Sequence, residues 1–155
     1  MSQRSGLVKP GPACTVRPAR PGDFNAMAGL AQQLGYECTA KEIEERLSQM
    51  QDPNCYAVFV AELAGGQIAG WVGAYLFRSV ETGSWAEING LVVEQSIRSH
   101  GIGRLLLDAA EEWGRRIGCD TMSVRSNLKR DRAHRFYESN GYRHVKTQKQ
   151  FRKPL

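Results

Sequence analysis

A turn with two glycines joins an apolar run to an amphipathic run, and its sequence is Arg98-Ser99-His100-Gly101-Ile102-Gly103-Arg104. A glycine turn that leads from a strand into a helix presents unpaired backbone N–H groups at the positive end of the helix dipole, where they bind phosphate. Gly101 and Gly103 let the backbone approach an anion closely, while Arg98 and Arg104 add positive charge. The turn lacks the lysine of a P-loop and the third glycine of a dinucleotide-binding fingerprint. The pattern therefore predicts a phosphate site of another kind, with a purely geometric turn as the alternative.

The cysteines and histidines give weaker signals. The three histidines have no zinc-ligand spacing, and the four cysteines form no C-x-x-C pair. We expect no metal centre, and we expect the cysteines to be reduced structural thiols. Cys119 has no adjacent base that would activate it as a nucleophile. The cysteines are Cys14, Cys38, Cys55 and Cys119.

The elements that must position the turn alternate between strand-like and helix-like patterns. Apolar residues at helical spacing predict one helix with Asp23 as its N-cap and a second helix opened by the capping box Thr39-x-x-Glu42. A long amphipathic helix follows the turn, and a short helix is predicted over Arg130–Ser139. Runs rich in aromatic and β-branched residues predict strands at Cys14–Arg17, Tyr56–Glu62, Gln67–Phe77, Trp85–Val93, Cys119–Ser126 and Tyr142–Arg152. The order βααβββαβαβ predicts an α/β (α+β) fold with a mixed central sheet and helices on both faces.

Length and charge narrow the classes of protein. The chain has 155 residues, 41% of them hydrophobic, and a net charge of +5. These values favour a single domain, predicted over residues 14–155 after a flexible leader at residues 1–13. No apolar run is long enough for a membrane span, and the N-terminus lacks the apolar core of a signal peptide, so we expect a cytoplasmic protein without a membrane partner. Residues 37–97 are net acidic and residues 98–155 strongly basic, which suits either nucleic acid or the phosphates of a small cofactor.

The turn and its surroundings resemble the GCN5-related N-acetyltransferase (GNAT) superfamily. Arg98-x-x-Gly101-x-Gly103 is similar to the loop with which that family binds the pyrophosphate of acetyl-CoA. The likeness extends from about Val16 to the C-terminus, and its other parts are Leu91-Val92-Val93, Asn127, Ala133-His134-Arg135-Phe136-Tyr137 and Asn140-Gly141-Tyr142. The run from Asn127 to Tyr137 particularly resembles the bacterial aminoalkylphosphonate N-acetyltransferase branch.

The resemblance implies a function and a set of binding residues. The protein is expected to transfer an acetyl group from its cosubstrate acetyl-CoA to a primary amine of a small molecule or peptide, by direct attack in a ternary complex. The strand before the turn is expected to bind the pantetheine arm as if it were another strand. The implied cofactor-binding residues are Leu91, Val92, Val93, Arg98, Ser99, His100, Gly101, Ile102, Gly103, Arg104, Asn127 and His134.

The same resemblance implies two catalytic side chains. Glu87 lies a few residues before Gly90, where the family often places its base, and a bulge at Gly90 would open the slot that the thioester enters. Tyr137 occupies the position of the family's thiol-protonating tyrosine, and a phenol with a pKa of about 10 can protonate a thiolate with a pKa of about 8.5. A solvent-facing carboxylate and a core aromatic are the alternative interpretations.

Several alternatives stay open at this point. A catalytically silent CoA-binding regulatory protein would have the same fold, whereas a nucleic-acid-binding module would use the C-terminal arginines but lacks a recognisable motif, so we expect no nucleic-acid partner. The amine is not identified, because the phosphonate likeness favours an acceptor with an anionic end and an acidic cluster favours a cationic one. A homodimer through the last strand is possible. The acidic cluster consists of Glu37, Glu42, Glu44 and Glu45.

Overall fold

The computed structural model describes residues 11–155, which fall into two compact units with the boundary after Val124. Most of the predicted leader, residues 1–10, lies outside the described residues. The division does not test whether residues 14–155 form a single domain, so that stays a prediction. Among the described residues, no helix is long and apolar enough to cross a bilayer.

The first unit is built on a five-stranded mixed sheet whose spatial order follows the chain. Neighbouring strands are antiparallel except for the last pair, which is parallel. A parallel pair needs a crossover, and the long helix after the glycine turn supplies it. The strands are β1 (Cys14–Pro18), β2 (Tyr56–Leu63), β3 (Ile68–Ser79), β4 (Gly83–Val93) and β5 (Met122–Val124).

Three α-helices, α1 (Phe24–Gln33), α2 (Ala40–Ser48) and α3 (Ile102–Arg116), complete the first unit. Two adjacent residues of β3 show that α1 and α3 lie on opposite faces of the sheet. The indole N–H of Trp71 donates to the Met27 carbonyl of α1 over 3.2 Å. A Cβ at Gly70, which would point the other way, would lie 3.0 Å from the Leu106 side chain of α3. The predicted mixed sheet with helices on both faces is confirmed.

The two predicted helix caps have different outcomes. Thr39 caps α2 as predicted, because its hydroxyl accepts from the Glu42 N–H and the Glu42 carboxylate accepts from the Thr39 N–H. Asp23 stands at the N-cap of α1, but its carboxylate makes no capping bond. That carboxylate instead accepts from both terminal nitrogens of Arg17 and from the Arg20 N–H. The cap prediction for Asp23 is wrong because a charged partner competes for the same oxygens.

The second unit contains one helix, α4 (Asp131–Ser139), and no strand is assigned after it. The predicted last strand at Tyr142–Arg152 is therefore wrong. The Tyr142 N–H bonds to the Tyr137 carbonyl at the end of α4, which continues the helix end rather than starting a ladder. Val145 and Phe151, which produce the strand-like pattern, are exposed. Residues with high strand propensity form strands when they can pack on a pleated, half-buried surface, and Val145 and Phe151 have no such surface here. The homodimer stays a prediction.

Candidate active site

β4 is irregular close to the glycine that the sequence singled out. Two consecutive residues of β3 pair with Gly90 and Ile88, so Asn89 is an extra residue in β4. The bulge therefore lies at Asn89, one residue before the predicted position. Close packing explains the glycines around it, since a Cβ at Gly90 would lie 2.8 Å from the Trp71 ring and a Cβ at Gly73 would lie 2.5 Å from the Asn89 side chain.

β4 also continues beyond its parallel neighbour. Its pairing with β5 ends at Ile88 and Val124, whereas its pairing with β3 continues to Val93. The three residues predicted to bind the pantetheine arm, Leu91–Val93, lie in this extension. Where a strand extends past the end of its neighbour, an extended ligand can bind along the strand as if it were the next strand. Binding of the pantetheine arm at Leu91–Val93 stays a prediction.

The turn at residues 98–104 is predicted to bind phosphate, and we call it the phosphate turn. It follows a short 3-10 helix at Gln95–Ile97 and ends at the start of α3. Gly101 is the N-cap of α3 and has φ +83°, a conformation that favours glycine. No side chain of Gly101 can cap the helix, so the N–H groups of its first turn can serve an anion instead. Ser99 also has a positive φ, +69°. Ile102 is buried and anchors the start of α3. The predicted anion site therefore has the required backbone form.

Side chains of the turn hold its shape. Arg98 Nε donates to the Val93 carbonyl over 3.0 Å, which ties the end of β4 to the turn. His100 Nδ1 lies 3.0 and 3.1 Å from the carbonyl oxygens of Arg98 and Ile97, so Nδ1 is the donor nitrogen. These two predicted binding residues thus shape the backbone.

Two further contacts border the turn. Arg104 Nε donates to Asp108 Oδ1 over 2.7 Å along the exposed side of α3. Gly11 lies against the turn, since a Cβ at Gly11 would be 2.6 Å from the His100 carbonyl oxygen. The described end of the predicted leader is therefore packed against the phosphate turn.

Glu87 is buried, with 3% of its surface exposed, on the sheet face that also carries Trp71. Tyr75 Oη donates to Glu87 Oε1 over 2.8 Å, and Trp85 Nε1 donates to Glu87 Oε2 over 3.0 Å. The Trp85 ring stacks on Phe77, with centroids 4.4 Å apart. The solvent-facing alternative for Glu87 is wrong, because the carboxylate is held inside an aromatic cluster. We call Tyr75, Phe77, Trp85 and Glu87 the Glu87 cluster.

The second unit carries the remaining predicted site residues. Asn127 shapes the turn before α4, since its side-chain oxygen accepts from the Lys129 N–H and its carbonyl lies 2.9 Å from His134 Nε2. Tyr137 contacts the rings of Phe136 and Tyr142, at centroid distances of 5.3 and 5.5 Å. Burial raises the pKa of Tyr137 to about 12, against a smaller lowering by Arg130. The phenol therefore stays protonated through the neutral range.

An ion-pair cluster lines a cleft of about 650 Å³ between β1, β2 and α1. Arg17 bonds to Asp23 over 2.7 and 2.8 Å and to Glu62. Hydrogen bonding to the Arg17 guanidinium holds the pKa of Asp23 below its usual value, against the opposing effect of burial. The Gln33 side chain, at the same cleft, donates to Glu94 and accepts from the Gln95 N–H. α1 is thus tied to the segment that precedes the phosphate turn.

Sequence reasoning missed Tyr75 and Trp85. A signal for them existed in the sequence. Residues 75, 77, 85 and 87 lie at every second position of their strands and so share one face of the hairpin, in which Phe77 pairs with Trp85 and Tyr75 with Glu87. The register of that hairpin was needed to use the signal. Among the described residues, no group of three or more His, Cys, Asp or Glu side chains is placed to hold a metal ion.

Comparison with known proteins identifies the family. The family model described as "Acetyltransferase (GNAT) family" matches residues 26–142. An aminoalkylphosphonate N-acetyltransferase of Salmonella typhimurium is 30% identical over 135 residues, which cover 85% of this chain and 86% of that protein. A type 1 aminoglycoside N(6')-acetyltransferase of Stenotrophomonas maltophilia is 30% identical over 147 residues, covering 92% and 95%.

A solved structure agrees in fold. An aminoglycoside N-acetyltransferase in complex with CoA superposes with a TM-score of 0.81 at 20% identity, covering 96% of this chain and 100% of that chain. At that identity the likeness shows the fold alone. The family model and the two relatives show that this chain belongs to the GNAT family and is an acyl-CoA-dependent acetyltransferase.

Proposed function

We propose that the enzyme transfers the acetyl group of acetyl-CoA to a primary amine of a small molecule or peptide, by direct attack in a ternary complex. The observation that carries the proposal is the environment of Glu87. Its carboxylate lies on the strand that leads to the phosphate turn, is buried, and accepts hydrogen bonds from Tyr75 and Trp85. A carboxylate in that position can remove the proton that an ammonium must lose before it attacks.

The chain offers a separate set of groups for acetyl-CoA. The extension of β4 at Leu91–Val93 is proposed to bind the pantetheine arm through its backbone. The N–H groups between Ser99 and Arg104 are proposed to bind the pyrophosphate, because Gly101 leaves the start of α3 uncapped by a side chain. Asn127 and His134 are proposed to support the cofactor side by fixing the turn before α4.

The reaction proceeds by one exchange of bonds at the thioester carbonyl carbon. Glu87 accepts one proton from the ammonium, directly or through one water, and the neutral nitrogen then attacks the carbonyl carbon and forms the C–N bond. A backbone N–H near Leu91 or Val92 is proposed to stabilise the oxyanion that forms in between. Collapse of the oxyanion then breaks the C–S bond and releases CoA as its thiolate. The nitrogen loses its second proton to water, and the proton on Glu87 returns to solvent.

Tyr137 is proposed to assist the departing sulfur. Because burial raises the pKa of Tyr137 to about 12, its phenol is a weaker acid than an ordinary tyrosine. A thiol has a pKa of about 8.5, so complete transfer of the phenolic proton to the thiolate is uphill at this pKa. We therefore assign Tyr137 a hydrogen bond to the sulfur as charge develops, with the thiolate taking its proton from water.

Two of the four cysteines, Cys14 and Cys55, do not favour a covalent acetyl-enzyme. The pKa of the Cys14 thiol is raised by burial, and the pKa of Cys55 is raised by its hydrogen bond to Asp52. Thiols with raised pKa values hold little thiolate near neutral pH, and thiolate is the nucleophilic form. All four cysteines are free, as expected in a reducing compartment, and we propose that the enzyme acts in the cytoplasm.

The proposal is tested by thiol release from acetyl-CoA against a panel of amines, with the intact mass of the protein measured in parallel. The panel contains aminoalkylphosphonates and aminoglycosides, which the names of the two relatives suggest, together with polyamines, amino acids and peptides. We expect amine-dependent release and an acetylated amine. A burst of CoA without amine, or a stably acetylated cysteine, would contradict direct transfer. Failure of acetyl-CoA to bind would contradict the proposal as a whole.

A further inference from the structure

We propose that Tyr75 and Trp85 are positioning residues that aim the Glu87 carboxylate at the acceptor amine. The inference rests on the proposed function, since it gives Glu87 the role of base. Neither residue belongs to the glycine turn or to the sequence features through which the family resemblance was recognised. Both are assigned here from their contacts in the first unit.

The geometry fixes the carboxylate from two sides. Tyr75 stands opposite Glu87 on β3 and donates to Oε1, while Trp85 lies two residues earlier on β4 and donates to Oε2. A donor to each oxygen, from two strands, restrains both the position of the carboxyl group and its rotation about the last side-chain bond.

The donors are themselves held in place. The Trp85 ring stacks on Phe77 with an angle of 21° between the ring planes, and Phe77 stands opposite Trp85 in the β3–β4 ladder. Offset aromatic stacking and the ladder register together restrict the indole, so the N–H direction is defined before any substrate binds. Tyr75 is fixed in the same way by its cross-strand pairing with Glu87.

Burial makes the two donors necessary. A carboxylate with 3% exposure has lost most of its water, and placing it among aromatic rings is costly unless its oxygens receive hydrogen bonds. A general base must also lie within hydrogen-bond reach of the proton that it accepts, directly or through one water. The same two bonds therefore meet the cost of burial and set the direction of the base.

A purely structural role makes a different prediction from a positioning role. If Tyr75 and Trp85 only stabilise the sheet, their loss lowers the melting temperature and affects the rate through the folded fraction alone. If they act through Glu87, their loss lowers kcat in the folded enzyme, and the effect disappears once Glu87 can no longer accept a proton. Non-additivity of this kind marks groups that act as one unit.

The experiment measures thiol release, with the concentrations of acetyl-CoA and of the amine each varied, for Tyr75→Phe and Trp85→Phe, each alone and combined with Glu87→Gln. The probes are 2-aminoethylphosphonate, an aminoglycoside and, without amine, the slow hydrolysis of acetyl-CoA by water. Tyr56→Phe, on the neighbouring strand opposite Tyr75, is the phenol control. Trp113→Phe is the indole control, because the buried Trp113 loses its N–H bond to the Pro53 carbonyl.

We expect each positioning variant to lower kcat roughly 10- to 100-fold, with the KM for acetyl-CoA unchanged within about 2-fold. In the Glu87→Gln background the same substitutions should have no further effect, and the two controls should keep the wild-type kcat whatever their melting temperatures. An unchanged kcat in both positioning variants, or losses that add fully to that of Glu87→Gln, would overturn the inference while leaving the acetyltransferase intact. Full activity of Glu87→Gln would instead remove the base from the proposed function, and the inference with it. A wild-type enzyme that releases no thiol with any probe would have the same consequence.

Discussion

The phosphate turn and the Glu87 cluster differ in whether backbone groups or side chains form them. The turn is made of backbone, and its side chains serve mainly to keep it in shape, as Arg98 does through the Val93 carbonyl. The Glu87 cluster is made of side chains from two strands, and its backbone is an ordinary ladder. Local residue spacing specifies the first, whereas only the strand register specifies the second. The two regions should therefore respond to mutation differently.

The largest expected effect separates chemistry from binding at Glu87. Glu87→Gln keeps the size of the side chain but cannot accept a proton, so kcat should fall roughly 10²- to 10⁴-fold. The KM for acetyl-CoA should hardly change, because the phosphate turn is untouched. Steady-state thiol release measures both constants. Glu81→Gln, which changes an exposed carboxylate in the turn between β3 and β4, serves as the control and should match the wild type.

A smaller effect is expected at Tyr137. Tyr137→Phe removes a donor to the departing sulfur and should lower kcat roughly 10²-fold, while acetyl-CoA binding persists. Tyr142→Phe removes a phenol from the same aromatic cluster and should have little effect on rate. Because the pKa of Tyr137 is raised to about 12, the wild-type enzyme should show no loss of kcat from tyrosine ionisation near the ordinary value of about 10. A rate equal to the wild type in Tyr137→Phe would remove Tyr137 from the mechanism.

At the phosphate turn, binding should change more than chemistry. Gly101→Ala places a Cβ on a residue with φ +83°, which costs about 1–2 kcal/mol. The strain falls on the turn that is proposed to bind the pyrophosphate, so the KM for acetyl-CoA should rise roughly tenfold, the equivalent of about 1.4 kcal/mol, with kcat retained.

Gly118→Ala is the matched control for Gly101→Ala. Gly118 follows the other end of α3 with φ +86°, and a Cβ at either position would have open space around it. Both variants should lose similar stability in urea unfolding, but only Gly101→Ala should weaken acetyl-CoA binding in calorimetry. Equal losses of affinity in the two variants would show that the turn binds no phosphate.

The smallest expected effect on rate accompanies a clear effect on stability. Asp23→Asn weakens the bidentate pair with Arg17 and should reduce the free energy of unfolding by roughly 3 kcal/mol, with kcat unchanged. Since the pKa of folded Asp23 is lowered, the pair stabilises the protein above the unfolded pKa of about 3.9, and that contribution is lost as the pH falls through the folded pKa.

The pH dependence provides the check on Asp23. The difference in urea stability between the wild type and Asp23→Asn should be complete near neutral pH and should shrink on acidification below about 4. Glu45→Gln, which breaks the exposed pair with Lys41, should cost about 0–1 kcal/mol at any pH. A pH-independent difference for Asp23→Asn would show that the carboxylate charge does not stabilise the fold.

Sequence reasoning succeeded where a local pattern carries the structure. The glycine turn, the helix after it and the Thr39 cap each depend on residues a few positions apart. Four features failed or were missed because they depend on distant partners. The Asp23 carboxylate bonds to Arg17 and so does not cap α1. The extra residue of the β4 bulge is Asn89, one residue before Gly90. The residues after α4 have a strand-like pattern but pair with no other strand. The donors to Glu87 could be found only once the register of the β3–β4 hairpin was known.

The acidic cluster, of which Glu42, Glu44 and Glu45 lie on α2, illustrates the same limit. Its charge suggested a cationic acceptor, but Glu42 is occupied by the helix cap and an ion pair with Arg46, and Glu45 pairs with Lys41. Pairs four residues apart on a helix stabilise that helix modestly and need no ligand. Glu42 and Glu45 therefore no longer favour a cationic acceptor over one with an anionic end.

The most direct test of the account uses acetyl-CoA labelled in its acetyl group, mixed with the amine panel and with either the wild-type enzyme or Glu87→Gln. The account predicts that the label moves to an amine in step with thiol release in the wild type, that the protein itself stays unlabelled, and that Glu87→Gln binds acetyl-CoA equally well but transfers label far more slowly. Label retained on the protein, or equal transfer by the two enzymes, would contradict direct transfer with Glu87 as the base.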